Sequence, residues 1–299
     1  MTPLVATAVL IAALTHASWN AIAHNISDKL AVFSLIGGGS AAIGVVLAFL
    51  TPFPDAAAWP YLVASGVLHV SYMLLLMRSF QLGDFGQMYP IARGTAPLVV
   101  TVAAAVFVGE SLDSWQTAGV AVASAGLVGL AVWGIRGSGK GGNGGNGGNG
   151  GDSSRTASRW PALLAAVATG LSIAAYTVVD GVGVRSAGSP LSYIAWLMIL
   201  QGGLIPIYAL LTRRGRLLPQ LRRHAGLGLL GAALSMLSYG LVLWAQTRAA
   251  LAPVSALRES SIIVGAAIGT IFFKERFGVP RMVAAGLMVV GIGLMLHAG

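Results

Sequence analysis

Polar and apolar positions alternate along this chain on the scale of whole helices. Ten stretches, at about residues 3–23, 31–50, 59–79, 85–107, 115–135, 160–180, 190–212, 225–247, 252–273 and 280–297, are almost continuously apolar. Each is close to the roughly 20 residues that a helix needs to cross about 30 Å of hydrocarbon. Turn-forming or charged clusters separate them, such as Thr51-Pro52-Phe53-Pro54-Asp55 and Arg213-Arg214-Gly215-Arg216. The pattern predicts an all-α, polytopic membrane protein with ten transmembrane helices.

Composition supports the same conclusion. Of 299 residues, 56% are hydrophobic and 9% are charged, against roughly 25% charged in a soluble domain. So few charges cannot cover a water-facing surface, and lipid must solvate most of the chain. The apolar run Pro3–Ala23 has no basic residue before it and is long enough to span, so it is expected to remain as the first helix and not to be cleaved as a signal. Cysteine is absent, which removes disulfides, thiolate metal sites and thiol nucleophiles.

The net charge of +9 does not point to nucleic acid, because the basic residues lie in loops between apolar runs. Fourteen of the 18 Lys and Arg fall in loops that follow odd-numbered spans, and two, Arg185 and Arg248, fall on the other side. The positive-inside rule then puts the odd-to-even loops in the cytoplasm and both termini outside a plasma membrane.

A Gly- and Asn-rich segment, residues 137–158, divides the chain into a first unit of 1–136 and a second of 159–299. Its composition predicts a disordered linker. Gly134, Gly139 and Lys140 match the spacing of a phosphate-binding loop, but Gly141 stands where the magnesium-binding hydroxyl belongs, and no strand precedes it. No cofactor is expected.

The two units are related. A shift of 165 superposes Arg93 on Arg258, Phe107 on Phe272, Glu110 on Glu275 and Gly126 on Gly291, while a shift of 157 matches Leu14 to Leu171, Ala17 to Ala174 and Trp19 to Tyr176. Five spans per unit is odd, so a duplicated unit enters the membrane in opposite senses. Two inverted five-helix repeats place a binding site at their interface and support alternating access.

Charged and polar residues inside spans are costly and mark that interface. Arg93 and Arg258 lie in equivalent helices of opposite direction, with Glu259 beside the second. They are candidates for binding a carboxylate or phosphate, because guanidinium grips such groups bidentately. The alternative is internal pairing with Glu259 or Asp180, or hydrogen bonding to backbone carbonyls. His16, Asn20 and His24 share one face of span one with Trp19 and Ser18 close by, and Ser172, Tyr176 and Asp180 share one face of span six. Either set lines a cavity or makes interhelical hydrogen bonds, and His16 and Asp180 are candidate proton carriers. Tyr89, beside Pro90 and seven residues before Pro97, marks a predicted kink in span four. His69, Tyr72 and Tyr239 are further candidate lining residues, and Glu110 and Glu275 read as caps or loop anchors. No catalytic or metal-binding spacing is present.

His16-Ala-Ser-Trp-Asn-Ala21 resembles the opening helix of the EamA-type carriers of the drug/metabolite transporter superfamily. The two runs Glu110, Gly119, Gly126 and Glu275, Ala284, Gly291 resemble that family's pattern of an acidic residue followed nine and sixteen positions later by small residues. The resemblance covers nearly all of the chain except the linker. It implies a secondary transporter, frequently an exporter, of small molecules such as amino acids or other carboxylate- or phosphate-bearing metabolites. A membrane-embedded enzyme, or a lipid-modifying or assembly protein, is the alternative. Relatives are commonly drawn with both termini in the cytoplasm, the opposite of what the charges predict here.

Overall fold

A computed structural model describes residues 1–26, 28–82, 85–137, 160–213, 217–265, 267 and 279–297. Linker residues 138–158, Glu275 and the side chains of Tyr89 and His24 lie outside the described residues. The helices are α1 (Pro3–Asn25), α2 (Lys29–Leu50), α3 (Trp59–Leu82), α4 (Phe85–Ala103), α5 (Ser114–Gly137), α6 (Trp160–Arg185), α7 (Pro190–Gly202), α8 (Leu204–Arg213), α9 (Leu217–Gln246), α10 (Leu251–Arg258) and α11 (Val279–His297). Among the described residues there is no strand.

Local chemistry sets the helix ends. Thr2 caps α1 by accepting from the Val5 N–H at 3.4 Å, with Pro3 at the first helical position. Asp28 caps α2 by accepting from Ala31 N–H at 3.1 Å. Between α6 and α7 the chain turns at Gly188, whose φ is +68° and where a Cβ would meet Asp55 Oδ2 at 2.6 Å, so only glycine fits on both counts.

Three spans depart from the expected helices in continuity or extent. The seventh is bent at Gly203 into α7 and α8, because Pro206 has no N–H for the Gly202 carbonyl and its ring crowds that turn. The eighth begins earlier than expected, since α9 starts at Leu217 and carries Arg222, Arg223 and His224 on its first turns. The ninth breaks after Arg258, where Glu259 and Ser260 form a turn before helix resumes over 261–265. By contrast α4 runs unbroken through Pro90 and Pro97 and only widens into a π-helical turn at Ala104–Val108. The helix break falls at the charged residues of span nine and not at the prolines of span four.

Helix pairing reveals the duplication. The first helix packs on α9 and its counterpart α6 packs on α3; α2 packs on its own counterpart α7, and α5 on its counterpart α11. Exchanging the units maps this pairing onto itself, as a two-fold pseudo-axis requires. With five spans per unit, that axis lies in the membrane plane and the repeats are inverted. The self-paired crossings are made by small residues. A Cβ on Gly37 would lie 2.8 Å from Gly202 O, and one on Gly291 would lie 2.6 Å from Gly119 O. The motif glycines Gly119, Gly126 and Gly291 therefore serve close helix approach, as in other membrane helix pairs.

The distribution of side chains is inside-out relative to a water-soluble protein. Phe49, Leu50, Phe107 and Leu211 are more than 70% exposed, while Asp180 and Glu259 are 0% exposed and Arg93 and Arg258 are 4% exposed. Among the described residues, six helical stretches are long and apolar enough by themselves to cross a membrane, with shorter apolar helices at Thr95–Val108 and Met282–His297. The chain is a multi-pass membrane protein.

Candidate functional site

The break in span nine delivers Arg258 and Glu259 to the centre of the bundle, where α10 meets α4, α1 and α6. Arg93 Nε from α4 lies 2.6 Å from Glu259 Oε2, and its Nη2 donates to Ser261 Oγ at 3.3 Å. Arg258 Nη2 is 3.7 Å from Glu259 Oε1, too far for a hydrogen bond. Two guanidiniums thus share one carboxylate across the repeat boundary, leaving one positive charge in excess. Arg258 Nε and Nη2 have no hydrogen-bond acceptor among the described residues, although the residue is buried. Buried guanidinium donors without acceptors are expensive. The sequence allowed either arginine to pair with Glu259 or Asp180, and the structure pairs both with Glu259, Arg93 far more closely.

Asp180 is held differently. Tyr193 of α7 donates to its Oδ1 at 2.9 Å, and Tyr239 of α9 donates to its Oδ2 at 2.5 Å. On α3, Ser65 and His69 face it as well. The His69 ring nitrogen Nδ1 lies 2.9 Å from the Ser65 carbonyl oxygen, which only accepts, so Nδ1 carries a proton. Around this carboxylate the aromatic rings are close: His69 stacks on Tyr176 at 4.2 Å and meets Tyr239 edge-on at 5.8 Å, and Tyr72 meets Tyr176 at 5.8 Å. Arg258 lies near Tyr176 and Tyr239, which brings the two clusters together.

From α1, His16 contributes its charge-sensitive ring toward Arg93 and Arg258 and packs edge-on against Trp19 at 5.2 Å. Asn20 turns its amide back to the His16 carbonyl at 2.8 Å. The Trp19 Nε1 donor is buried without an acceptor among the described residues.

Most of the expected residues converge. Arg93, Arg258, Glu259 and His16 form one cluster, and Asp180, Tyr176, Tyr239, Tyr72 and His69 form the adjoining one. Asn20 is occupied by its own helix. Tyr193, Ser65 and Ser261 were missed. Their only trace in the sequence is a polar side chain in an apolar helix, a weak signal for Ser and Tyr. Elsewhere, a shallow apolar hollow of about 420 Å³ lined by Leu98, Val99, Val102, Ala103, Val106 and Phe107 lies on the outer face of α4. Val102, Val106 and Phe107 are strongly exposed there, so the hollow faces lipid and takes no part in the charged centre.

Glu110 does act as a cap, as expected, and does more. After the π-helical turn, Gly109 adopts φ +72° and Glu110 N–H bonds back to Ala104 O at 3.1 Å. This swings the carboxylate over the bundle end. Its Oε2 accepts from the Leu251 N–H at 2.7 Å, at the start of α10, and its Oε1 lies 2.8 Å from Arg185 Nη1. Arg185 in turn donates to Gln246 O at 2.7 Å and Ala249 O at 3.0 Å. Asp28 and Arg213 pair across the units at the opposite end.

Comparison with known proteins agrees with this architecture. A solved structure described as "Crystal structure of protein" superposes with a TM-score of 0.69 at 16% identity, covering 97% of this chain and 98% of that one, and so shares the fold. None of the curated proteins matches the sequence. The family model described as "EamA-like transporter family" matches residues 4–132 and again 160–297, one copy in each repeat. With both repeats matched over most of its length, the chain belongs to the EamA-like transporter family, within the drug/metabolite transporter superfamily.

Proposed function

We propose that this transporter is a secondary carrier that exports small carboxylate- or phosphate-bearing metabolites, amino acids among them, across the plasma membrane. Alternating access would come from rocking of the two inverted repeats about the charged centre. The observation that carries the substrate class is Arg258. Its guanidinium is buried at the repeat boundary, Glu259 Oε1 is 3.7 Å away, and Nε and Nη2 lack acceptors among the described residues. A ligand carboxylate or phosphate would supply paired acceptors to that planar fork. Arg93 is already engaged by Glu259 and Ser261, so its role is to hold Glu259 in place. Tyr176, Tyr239, Tyr72, His16 and Trp19 would form the walls beside the anion. Both termini would lie outside, as the basic loops predict.

The test is flux in proteoliposomes. Purified protein is reconstituted and screened for exchange of radiolabelled amino acids, dicarboxylates and phosphorylated sugars. Saturable exchange of at least one anionic class, above empty vesicles, is expected. Folded, monodisperse protein that exchanges none of them defeats the proposal.

A further inference from the structure

Glu259 and Asp180 are both fully buried carboxylates, yet their surroundings differ in kind. Glu259 is neutralised by guanidiniums, which stay charged in any protein environment. Asp180 has no ion-pair partner among the described residues, and the groups on it are hydroxyls: Tyr193 at 2.9 Å, Tyr239 at 2.5 Å and Ser65. A hydroxyl can donate or accept by rotating its O–H bond. The Asp180 cage therefore suits an ionised carboxylate, which accepts from all three. It suits a protonated one equally, which donates to one of them, and no heavy atom need move. Glu259 has no such freedom.

We propose that Asp180 is the proton-coupling carboxylate of the carrier, and that Tyr239 is the hydroxyl through which its proton exchanges with the cavity. This rests on the carrier function proposed above. Asp180 sits where the repeats meet: Ser65 and His69 come from α3 of the first unit, while Tyr193 and Tyr239 come from α7 and α9 of the second. Rocking of one unit on the other changes the donors it sees. Both carboxylate oxygens are already taken by protein hydroxyls and the residue is 0% exposed, which argues against direct contact with substrate. Tyr239 is only partly buried, and its ring lies against His69, so it connects the closed cage to the aromatic wall. The charged or titratable groups facing Asp180 are His69 on α3, Tyr193 on α7 and Tyr239 on α9. Arg258 on α10 lies near His69 and Tyr239, and Arg93 on α4 is held by Glu259. An isolated charge in this interior is costly to carry through the membrane, and protonation removes it.

Two measurements test this. In the first, infrared difference spectra of the purified protein are followed as pH is lowered, with no substrate present. Wild type is expected to gain a protonated-carboxyl band that is missing in Asp180→Asn and retained in Glu259→Gln. In the second, proteoliposomes are loaded with a radiolabelled amino-acid mixture. One coupled proton supports up to about ten-fold accumulation per pH unit imposed. Asp180→Asn should keep wild-type exchange without a gradient but lose accumulation driven by a pH difference. Tyr239→Phe should reduce pH-driven accumulation by a larger factor than it reduces exchange. The proposal is overturned if the band persists in Asp180→Asn, if that variant still accumulates against a pH gradient, or if a sodium gradient drives wild type and a pH gradient does not. It is also overturned if folded Asp180→Asn loses exchange together with coupling, since that marks a substrate contact. A titrating band in protein that exchanges nothing would defeat the carrier proposal while leaving the proton site standing.

Discussion

The carboxylate of Glu110 and the guanidinium of Arg185 meet at 2.8 Å across the boundary between the two repeats. The pair is partly exposed, at 13% and 30%, so its Coulomb energy alone is modest. Its weight comes from what each partner holds. Glu110 satisfies the first N–H of α10, and Arg185 satisfies carbonyls at the end of α9. Glu110→Gln keeps the size but weakens the charge-assisted bonds, and should cost about 1–2 kcal/mol. Arg185→Ala removes three contacts and should lower the thermal midpoint further than Glu110→Gln, with Arg185→Lys in between. Detergent-solubilised thermal unfolding checks the order.

Arg93 and Arg258 look equivalent in sequence and are unequal in structure. Removing Arg93 strips Glu259 of its 2.6 Å partner and leaves a buried carboxylate with only a distant cation. Arg93→Gln is therefore expected to destabilise by about 3–5 kcal/mol, the range for breaking a buried pair. Arg258→Gln removes a guanidinium whose Nε and Nη2 meet no acceptor among the described residues and should leave the thermal midpoint close to wild type. A scan of both variants without substrate distinguishes them. Equal losses would place the two arginines in one structural network.

At the opposite end, the Arg213 guanidinium hydrogen-bonds to Asp28 and holds its carboxyl below the usual value of 3.8. A carboxyl depressed in the folded state adds stability above its unfolded value, and that stability is lost as pH falls through the folded value. The contribution is therefore complete at neutral pH and fades below about pH 4. Asp28→Asn should flatten the acid limb of the stability profile and leave its slope above pH 5 unchanged, which melting curves across that range report.

The close crossing of α5 and α11 leaves no room at Gly291. An added methyl would lie 2.6 Å from Gly119 O and 2.9 Å from the Ala123 Cβ. Overpacking of this kind costs about 1–3 kcal/mol. Gly291→Ala should lower the thermal midpoint, whereas Gly293→Ala, with open space around it, should not.

Spans, duplication and polar seam were legible in the sequence because each follows from a strong physical constraint. Lipid demands long apolar helices, and an intramembrane arginine demands a partner. The correspondence of Arg93 with Arg258 needed only the 165-residue shift. What stayed hidden depends on rotation and depth. Nothing in a one-dimensional pattern says that Glu259 turns toward Arg93 while Asp180 turns toward Tyr193. A kink was expected at Pro90 and Pro97, where proline chemistry is visible; α4 stays helical through both, and the interruption that no proline marks falls at Glu259-Ser260. Glu110 was readable as an anchor, but its partner Arg185 lies 75 residues away along the chain, and only the fold joins them.

Orientation is open to direct labelling because the chain has no native cysteine. A cysteine at Ala57, exposed at the end with few basic residues, should react with an impermeant maleimide on intact cells. One at Arg222, exposed on the first turns of α9, should react only after permeabilisation. The reverse pattern would place both termini inside.

The most direct test of the charged centre compares wild type and Arg258→Gln in proteoliposomes, using matched anionic and neutral substrates in the same preparation. If Arg258 grips the substrate anion, the variant should lose exchange of carboxylate- or phosphate-bearing compounds by about ten-fold or more, the scale of one charge-assisted contact, while retaining any neutral exchange and its thermal midpoint. Undiminished anion exchange by the variant would contradict this account.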